Sequence, residues 1–285
     1  MPPMSGTWGR FTLASLVGQF FPPPSKDLTA ATSALLSLVQ EFRVLGPFNR
    51  KIRPIRGGWS IGHYQTEVAG TLGCFVHDKD DAQKMYLLST ADAIAPGSAK
   101  KGDAILQPGK IDGGSYPEHS VAKLERWIRP TEETGTSAGI ALLNDPLEFK
   151  PEIEGLGPLT GTADVRPGIA VLKVGRTSGL TVGKVLAVNL DIKVEVGENA
   201  PVLFHQVISA SVPTKGGDAG AILVDAKRRA LGMLFAGNET KGISFYLPIT
   251  RVLERLGVLL VTGPDSRNAL KSSQSPPEEA SSDLC

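Results

Sequence analysis

The residues that most directly suggest chemistry lie in one hexapeptide, Gly-Gly-Asp-Ala-Gly-Ala at 216–221. It separates the strand-like run Val207-Ile208-Ser209-Ala210 from the apolar run Ile222-Leu223-Val224, so we expect a tight turn between two strands. The glycines permit positive φ, which lets such a turn aim its backbone N–H groups outward. The side chain of Ala219 is a methyl group, which cannot attack a carbonyl carbon. The turn thus lacks a nucleophile of its own.

Other chemistry-bearing residues show no recognisable pattern. No pair among His63, His77, His119 and His205 has metal-ligand spacing, and neither do the two cysteines, Cys74 and Cys285. We expect His63 to make a structural hydrogen bond and the other three histidines to lie at the surface or at strand ends. The stretch 175–181 lacks the phosphate-loop pattern. The sequence therefore predicts neither a metal nor a cofactor.

Composition excludes several classes of partner. The 285 residues carry 30 basic and 29 acidic side chains, for a net charge of +1, so no footprint for nucleic acid or an anionic membrane stands out. Two cysteines argue against a disulfide scaffold. The apolar runs are shorter than the roughly 20 residues of a membrane span, and no cleavage site follows the apolar stretch at 11–21. We therefore expect a cytoplasmic protein.

Short strand-like runs separated by turn residues dominate the chain from about Ile55 onward. Helical patterns between them are lacking, which favours an all-β sandwich or barrel over a βαβ fold. The predicted strands are Gly70–His77, Met85–Ser89, Ala104–Leu106, Ser120–Ile128, Ala138–Leu143, Ala170–Gly175, Gly183–Leu190, Leu203–Ser209, Ala221–Val224, Ala230–Ala236 and Ile243–Pro248.

The two ends of the chain follow other patterns. Residues 1–45 form an extension in which Asp27–Phe42 has the apolar spacing of an amphipathic helix. That helix could pack on the protein's own barrel or contact a partner. A second helix is predicted at 249–258, and the polar tail at 263–285 is expected to be disordered. The Pro/Gly-rich stretch 146–162 is interpreted as a linker between two halves.

Several segments in order resemble the trypsin-like (chymotrypsin-fold) serine peptidases, in a bacterial branch related to the plant narrow-leaf type. The segments that carry the resemblance are 57–64, 69–76, 87–95, 105–109 with 112–114, 139–143, 174–185, 217–221 and 232–237. The resemblance implies one domain at 46–262 with two packed antiparallel six-stranded β-barrels, at about 55–145 and 160–248. It places the active cleft between them.

The same resemblance locates three catalytic positions, and each departs from the family pattern. The histidine position falls on Asp92, the aspartate position on Ser137 and the nucleophile position on Ala219. Losing the nucleophile or the base of such a triad costs roughly 10⁶-fold in rate. The backbone N–H groups of an oxyanion hole survive side-chain replacement, and they would belong to Gly217 and Ala219.

Two functions stay open from the sequence. The first is a catalytically inactive peptidase homologue that binds a protein or peptide, or serves as a structural part of an assembly. The second is an active serine-type endopeptidase or hydrolase with a relocated nucleophile, for which Ser178, Ser211 and Thr214 lie near the relevant loops. The oligomeric state is not predicted.

Overall fold

The computed structural model of the chain describes residues 46–131, 133–145, 149–195 and 201–263. The predicted helix at 27–42 and nearly all of the predicted tail lie outside these ranges. No helix in the described ranges is long and apolar enough to cross a membrane. The first ten strands are β1 (Ile55–Gly57), β2 (Ser60–His63), β3 (Gly70–Thr71), β4 (Cys74–Asp78), β5 (Met85–Ser89), β6 (Ala104–Leu106), β7 (Ser120–Ile128), β8 (Ala138–Leu143), β9 (Phe149–Ile153) and β10 (Gly157–Pro158).

Seven further strands follow in the second half. They are β11 (Ala170–Gly175), β12 (Gly179–Val194), β13 (Val202–Ala210), β14 (Ile222–Asp225), β15 (Ala230–Asn238), β16 (Ile243–Pro248) and β17 (Val258–Leu260). The helices are α1 (Ala91–Ile94), α2 (Ile249–Leu256) and a 3₁₀ turn at Lys110–Asp112. The all-β prediction is therefore confirmed, and no strand was predicted where a helix forms.

The second half is a closed barrel in the order β11-β12-β13-β16-β15-β14. Its six antiparallel strands match the predicted count, and alternate side chains fill its interior. The barrel is closed because β11 pairs with β12 on one side and β14 on the other.

The first half differs in detail from the predicted six-stranded barrel. Its main sheet has eight strands in the order β17-β4-β5-β8-β7-β6-β2-β3. The extra edge strand β17 comes from the C-terminal end of the described chain and pairs antiparallel with β4. The predicted boundary between the halves is therefore crossed twice by the chain.

The stretch interpreted as a linker also contains strands. Within it, β9 pairs in parallel with β1 and antiparallel with β10, which makes a separate three-stranded sheet. The Pro and Gly residues that suggested a linker limit these strands to five and two residues.

Helix α2 ends two residues earlier than predicted. Gly257 adopts the left-handed conformation with φ 63° and its N–H bonds back to the carbonyls of Leu253 and Glu254, which ends the helix before β17 begins. Its buried face is formed by Ile249, Val252, Leu253 and Leu256.

Candidate functional site

The first two predicted positions are in direct contact. Asp92 lies in the first turn of α1, and Ser137 lies just before β8. The Ser137 hydroxyl donates a hydrogen bond to Asp92 Oδ2 at 2.8 Å. Ser137 is 1% exposed, whereas Asp92 remains open to solvent. The sequence did not predict α1, which is a single turn of four residues.

The environment of Asp92 alters its acidity. Desolvation by the surrounding protein raises the pKa of Asp92 above its ordinary value, and the Ser137 hydrogen bond opposes this shift without cancelling it. Asp92 also keeps contact with solvent, which screens its charge. A carboxylate is ordinarily a much weaker base than an imidazole, so Asp92 is a poor replacement for a histidine base at neutral pH.

The segment that precedes Ser137 is braced by α2. Arg255 Nη1 donates to the Thr136 hydroxyl at 3.0 Å and also to the Thr134 carbonyl. Thr136 is buried. The segment next to Ser137 is therefore held by a helix that follows the barrel in sequence.

Ala219 meets the same region through β3. The Ala219 carbonyl accepts a hydrogen bond from Thr71 N–H at 2.8 Å. A Cβ placed on Gly70 would lie 2.5 Å from the Cβ of Ala93 and 2.9 Å from the Ala219 oxygen. Only glycine fits at position 70, so α1 and the 216–221 turn approach each other across it. The structure thus places the Ala219 carbonyl near Ala93, the residue that follows Asp92.

A buried ion pair holds the turn from beneath. Lys173 Nζ lies 3.1 Å from Asp218 Oδ2, and both side chains are 0% exposed. The other carboxylate oxygen of Asp218 accepts backbone N–H bonds from Thr177 and Ser178 at 2.9 and 3.0 Å. Burial alone would raise the pKa of Asp218, but the Lys173 charge and these hydrogen bonds hold it below its ordinary value. Asp218 is therefore an anchor of the turn.

Two backbone donors of the turn are unused. Gly217 has φ 96°, and its carbonyl accepts a hydrogen bond from the Thr71 hydroxyl at 2.9 Å. Among the described residues, neither the N–H of Gly217 nor that of Ala219 has an acceptor. These are the two donors that the resemblance implied.

A second charged contact joins the halves beside the turn. Arg176, in the β11–β12 turn, makes a bidentate pair with Asp112 of the 3₁₀ turn. The Ser60 hydroxyl also donates to Asp112, at 2.5 Å. A Cβ on Gly217 would lie 2.3 Å from Arg176 Nη1, so the guanidinium packs against the turn. We call this Arg176–Asp112 contact the clasp.

The hydroxyls considered as relocated nucleophiles have other partners. Ser178 Oγ accepts from Lys173 Nζ at 2.8 Å, and the Thr214 hydroxyl, which is buried, donates to Asp218. Ser211 bonds to the backbone of Lys184. None of the three contacts a histidine among the described residues, and the Lys173 amine that contacts Ser178 is paired with Asp218.

The histidine expected to be structural has that geometry. His63 is 0% exposed and its Nε2 lies 3.0 Å from Asp103 Oδ2. The described residues contain no group of three His, Cys, Asp or Glu side chains that could hold a metal ion.

Solved structures of trypsin-like serine proteases share this fold at low sequence identity. Thermobifida fusca protease A matches with a TM-score of 0.55 and 18% identity, covering 73% of this chain and 99% of that one. Nocardiopsis protease matches with a TM-score of 0.56 and 18% identity, covering 73% of this chain and 99% of that one. A third match is a glutamic acid specific serine protease, described as using a novel histidine triad in substrate binding. Its TM-score is 0.57 and its sequence identity 20%, covering 73% of this chain and 100% of that one.

These likenesses show the fold and nothing finer. The chain has the chymotrypsin double-barrel fold, with two packed halves and few helices. No protein-family model matches the chain, and no curated protein matches it either.

Proposed function

We propose that this protein is a trypsin-like peptidase homologue whose cleft binds a peptide or protein segment without cleaving it. The observation that carries the proposal is the Asp92–Ser137 contact, which occupies the predicted base and orienting positions without an imidazole. The segment resemblance supports the narrow-leaf-related branch, and the composition supports a cytoplasmic location.

The side chains of the cleft do not support hydrolysis. Peptide cleavage by this route needs an accessible nucleophile and a base that takes its proton. Ala219 supplies no nucleophile, and Ser137, which does contact a carboxylate, is 1% exposed and cannot reach a substrate. The hydrogen-bond partners of Ser178, Ser211 and Thr214 likewise argue against a relocated nucleophile at those positions.

The same cleft retains features that suit an extended peptide. The unpaired N–H groups of Gly217 and Ala219 can donate to a peptide carbonyl. On one side, strand β15 pairs with β14 as far as Met233, and Leu234 makes backbone hydrogen bonds to the 216–221 turn. On its other side, β15 pairs with β16 as far as Asn238. The remaining edge of β15 can accept an added strand, a common mode of peptide recognition.

Binding without cleavage is tested with fluorescein-labelled unfolded casein as the probe. We expect saturable fluorescence anisotropy with the wild-type protein and intact casein on gels. Ala219→Phe fills the space beside the turn and should weaken binding at least about tenfold. Ala82→Phe, the same change at an exposed loop position, should leave binding unchanged. Equal binding by both variants, or casein cleavage lost in Ala219→Phe, would refute the proposal.

A triple reversion tests whether the cleft geometry is that of a peptidase. Asp92→His, Ser137→Asp and Ala219→Ser together should give measurable casein hydrolysis and fluorophosphonate labelling at position 219. An intact triad is worth roughly 10⁶-fold in rate, so even partial restoration is detectable. A folded triple variant with neither property would mean that the cleft no longer admits a peptide.

A further inference from the structure

A hydroxyl, an imidazole and a carboxylate lie together on the turn between the 3₁₀ turn and β7. Ser115 Oγ is 2.9 Å from His119 Nδ1. His119 Nε2 is 3.5 Å from Glu118 Oε1. Glu118 is also 3.5 Å from Lys51 Nζ. None of these residues belongs to the cleft.

The hydrogen bonds assign the protonation of His119. Its Nδ1 receives the Ser115 backbone N–H at 3.0 Å as well as the Ser115 hydroxyl. Because the backbone N–H can only donate, Nδ1 must carry a lone pair, so the proton of the neutral ring is on Nε2, on the side of Glu118. This is the tautomer in which an imidazole acts as a base toward a hydroxyl while a carboxylate orients it.

The base is held while the hydroxyl is accessible. The side chain of His119 is 13% exposed. The backbone N–H of His119 donates to the Ser115 carbonyl at 2.8 Å, and the backbone carbonyl of His119 accepts from the Gln107 N–H at 2.9 Å. Ser115 is exposed. Tyr116, next in sequence, is 61% exposed with its ring 5.4 Å from that of Tyr64, which provides an apolar surface beside the hydroxyl.

We propose that Ser115, His119 and Glu118 form a separate surface site that accepts the acyl group of small carboxylic esters. Ser115 Oγ bonds to the ester carbonyl carbon as its proton passes to His119 Nδ1. The alcohol leaves with that proton when the ester C–O bond breaks. Water then attacks the acyl-Ser115 ester with His119 as base, which releases the acid and restores the hydroxyl.

The chain contains a matched control for simple imidazole catalysis. His205 Nδ1 lies 3.0 Å from Asp191 Oδ1, and both side chains are about half exposed. No hydroxyl contacts His205 among the described residues. A reaction that needs only an exposed imidazole beside a carboxylate would use this pair as readily as His119.

The experiment uses the full chain with p-nitrophenyl acetate at pH 7.5, followed by peptide mass spectrometry and p-nitrophenol release. We expect acetyl-Ser115 in the wild-type protein and none in Ser115→Ala. Acetylation of Ser115 should fall at least about tenfold in His119→Gln, since a positioned general base contributes roughly 10²–10⁴-fold. His205→Gln and Ser98→Ala, at an exposed serine, should match the wild type.

Two results would overturn the proposal. One is acetylation confined to lysines, with Ser115 unmodified in the wild type. The other is an equal loss of p-nitrophenol release in His119→Gln and His205→Gln. Because Ser115→Ala keeps the imidazole and changes an exposed side chain, its outcome does not depend on whether His119→Gln folds.

Discussion

The carboxylate of Asp92 has one side-chain hydrogen-bond partner among the described residues. Ser137 donates to Oδ2, and no other side chain is bonded to the carboxylate among the described residues. A solvent-facing carboxylate of this kind can also accept from a donor such as a peptide N–H. In the proposed function, this residue therefore contributes to binding in the place where the family resemblance implies a base.

The raised pKa of Asp92 has a consequence for stability. In the folded state Asp92 holds its proton at pH values where the unfolded chain, with a pKa of about 3.9, has lost it. The ionised group therefore costs stability above the raised pKa, and this cost disappears as the pH falls to the unfolded value.

We predict that Asp92→Asn stabilises the protein at pH 7 and has no effect at pH 3. Asparagine can still accept the Ser137 hydrogen bond but carries no charge. The gain at pH 7 should stay below about 1 kcal/mol because Asp92 is open to solvent. Thermal unfolding of both proteins from pH 3 to 8 measures it. A difference in stability between the two proteins that stays constant from pH 3 to 8 would contradict the raised pKa of Asp92.

Sequence reasoning predicted three site positions, two of which are in contact in the structure, but it did not predict the residues that support them. Asp92, Ser137 and Ala219 follow from ordered short motifs. Lys173 lies in an otherwise apolar strand, where a lysine is normally read as solvent-exposed, and only the closed barrel shows that it is buried beside Asp218. Long-range partners of this kind leave no local signal.

At the scale of elements, the clasp joins the β11–β12 turn to the 3₁₀ turn of the other half. Arg176 is 14% exposed and Asp112 is 5% exposed. Removing one partner of a buried pair leaves the other without compensation, which costs more than the pair itself is worth.

We predict that Asp112→Ala destabilises the protein by about 2–4 kcal/mol. The matched control is Asp81→Ala, which removes the carboxylate of the exposed Lys84–Asp81 pair and should cost less than about 1 kcal/mol. Urea unfolding of the two variants measures both values. Similar decreases in the free energy of unfolding of the two variants would show that the clasp does not stabilise the protein by this amount.

Most of the elements predicted with correct bounds are strands of five or more residues, and β6, with three, is the exception. Strands β5 to β8, β11 and β16 have the predicted bounds. The missed strands β1, β2, β9, β10 and β17 are two to five residues long. They contain glycine or proline or follow a helix, so their pairing depends on neighbours that are distant in sequence.

At the scale of the whole molecule, the two halves share one hydrophobic core. The largest cluster combines Trp59 and Tyr86 from the first half with Phe204 and Met233 from the barrel. Helix α2 packs against it and leads the chain back to the first sheet. Neither half buries this surface alone.

We predict a single cooperative unfolding transition for the described domain. Because the cluster spans both halves, loss of one exposes the apolar surface of the other. Differential scanning calorimetry should give a van't Hoff enthalpy equal to the calorimetric enthalpy. Two resolved transitions, or a marked excess of calorimetric enthalpy, would contradict it.

Strand β17 also constrains the order of events during synthesis. The eight-stranded sheet begins to emerge from the ribosome first, yet its edge strand at 258–260 follows every strand of the barrel. Domains generally fold in the order of translation, at roughly 5–20 residues per second. The first half of this protein cannot reach its final form that way, because its last strand arrives only after the second half has been made.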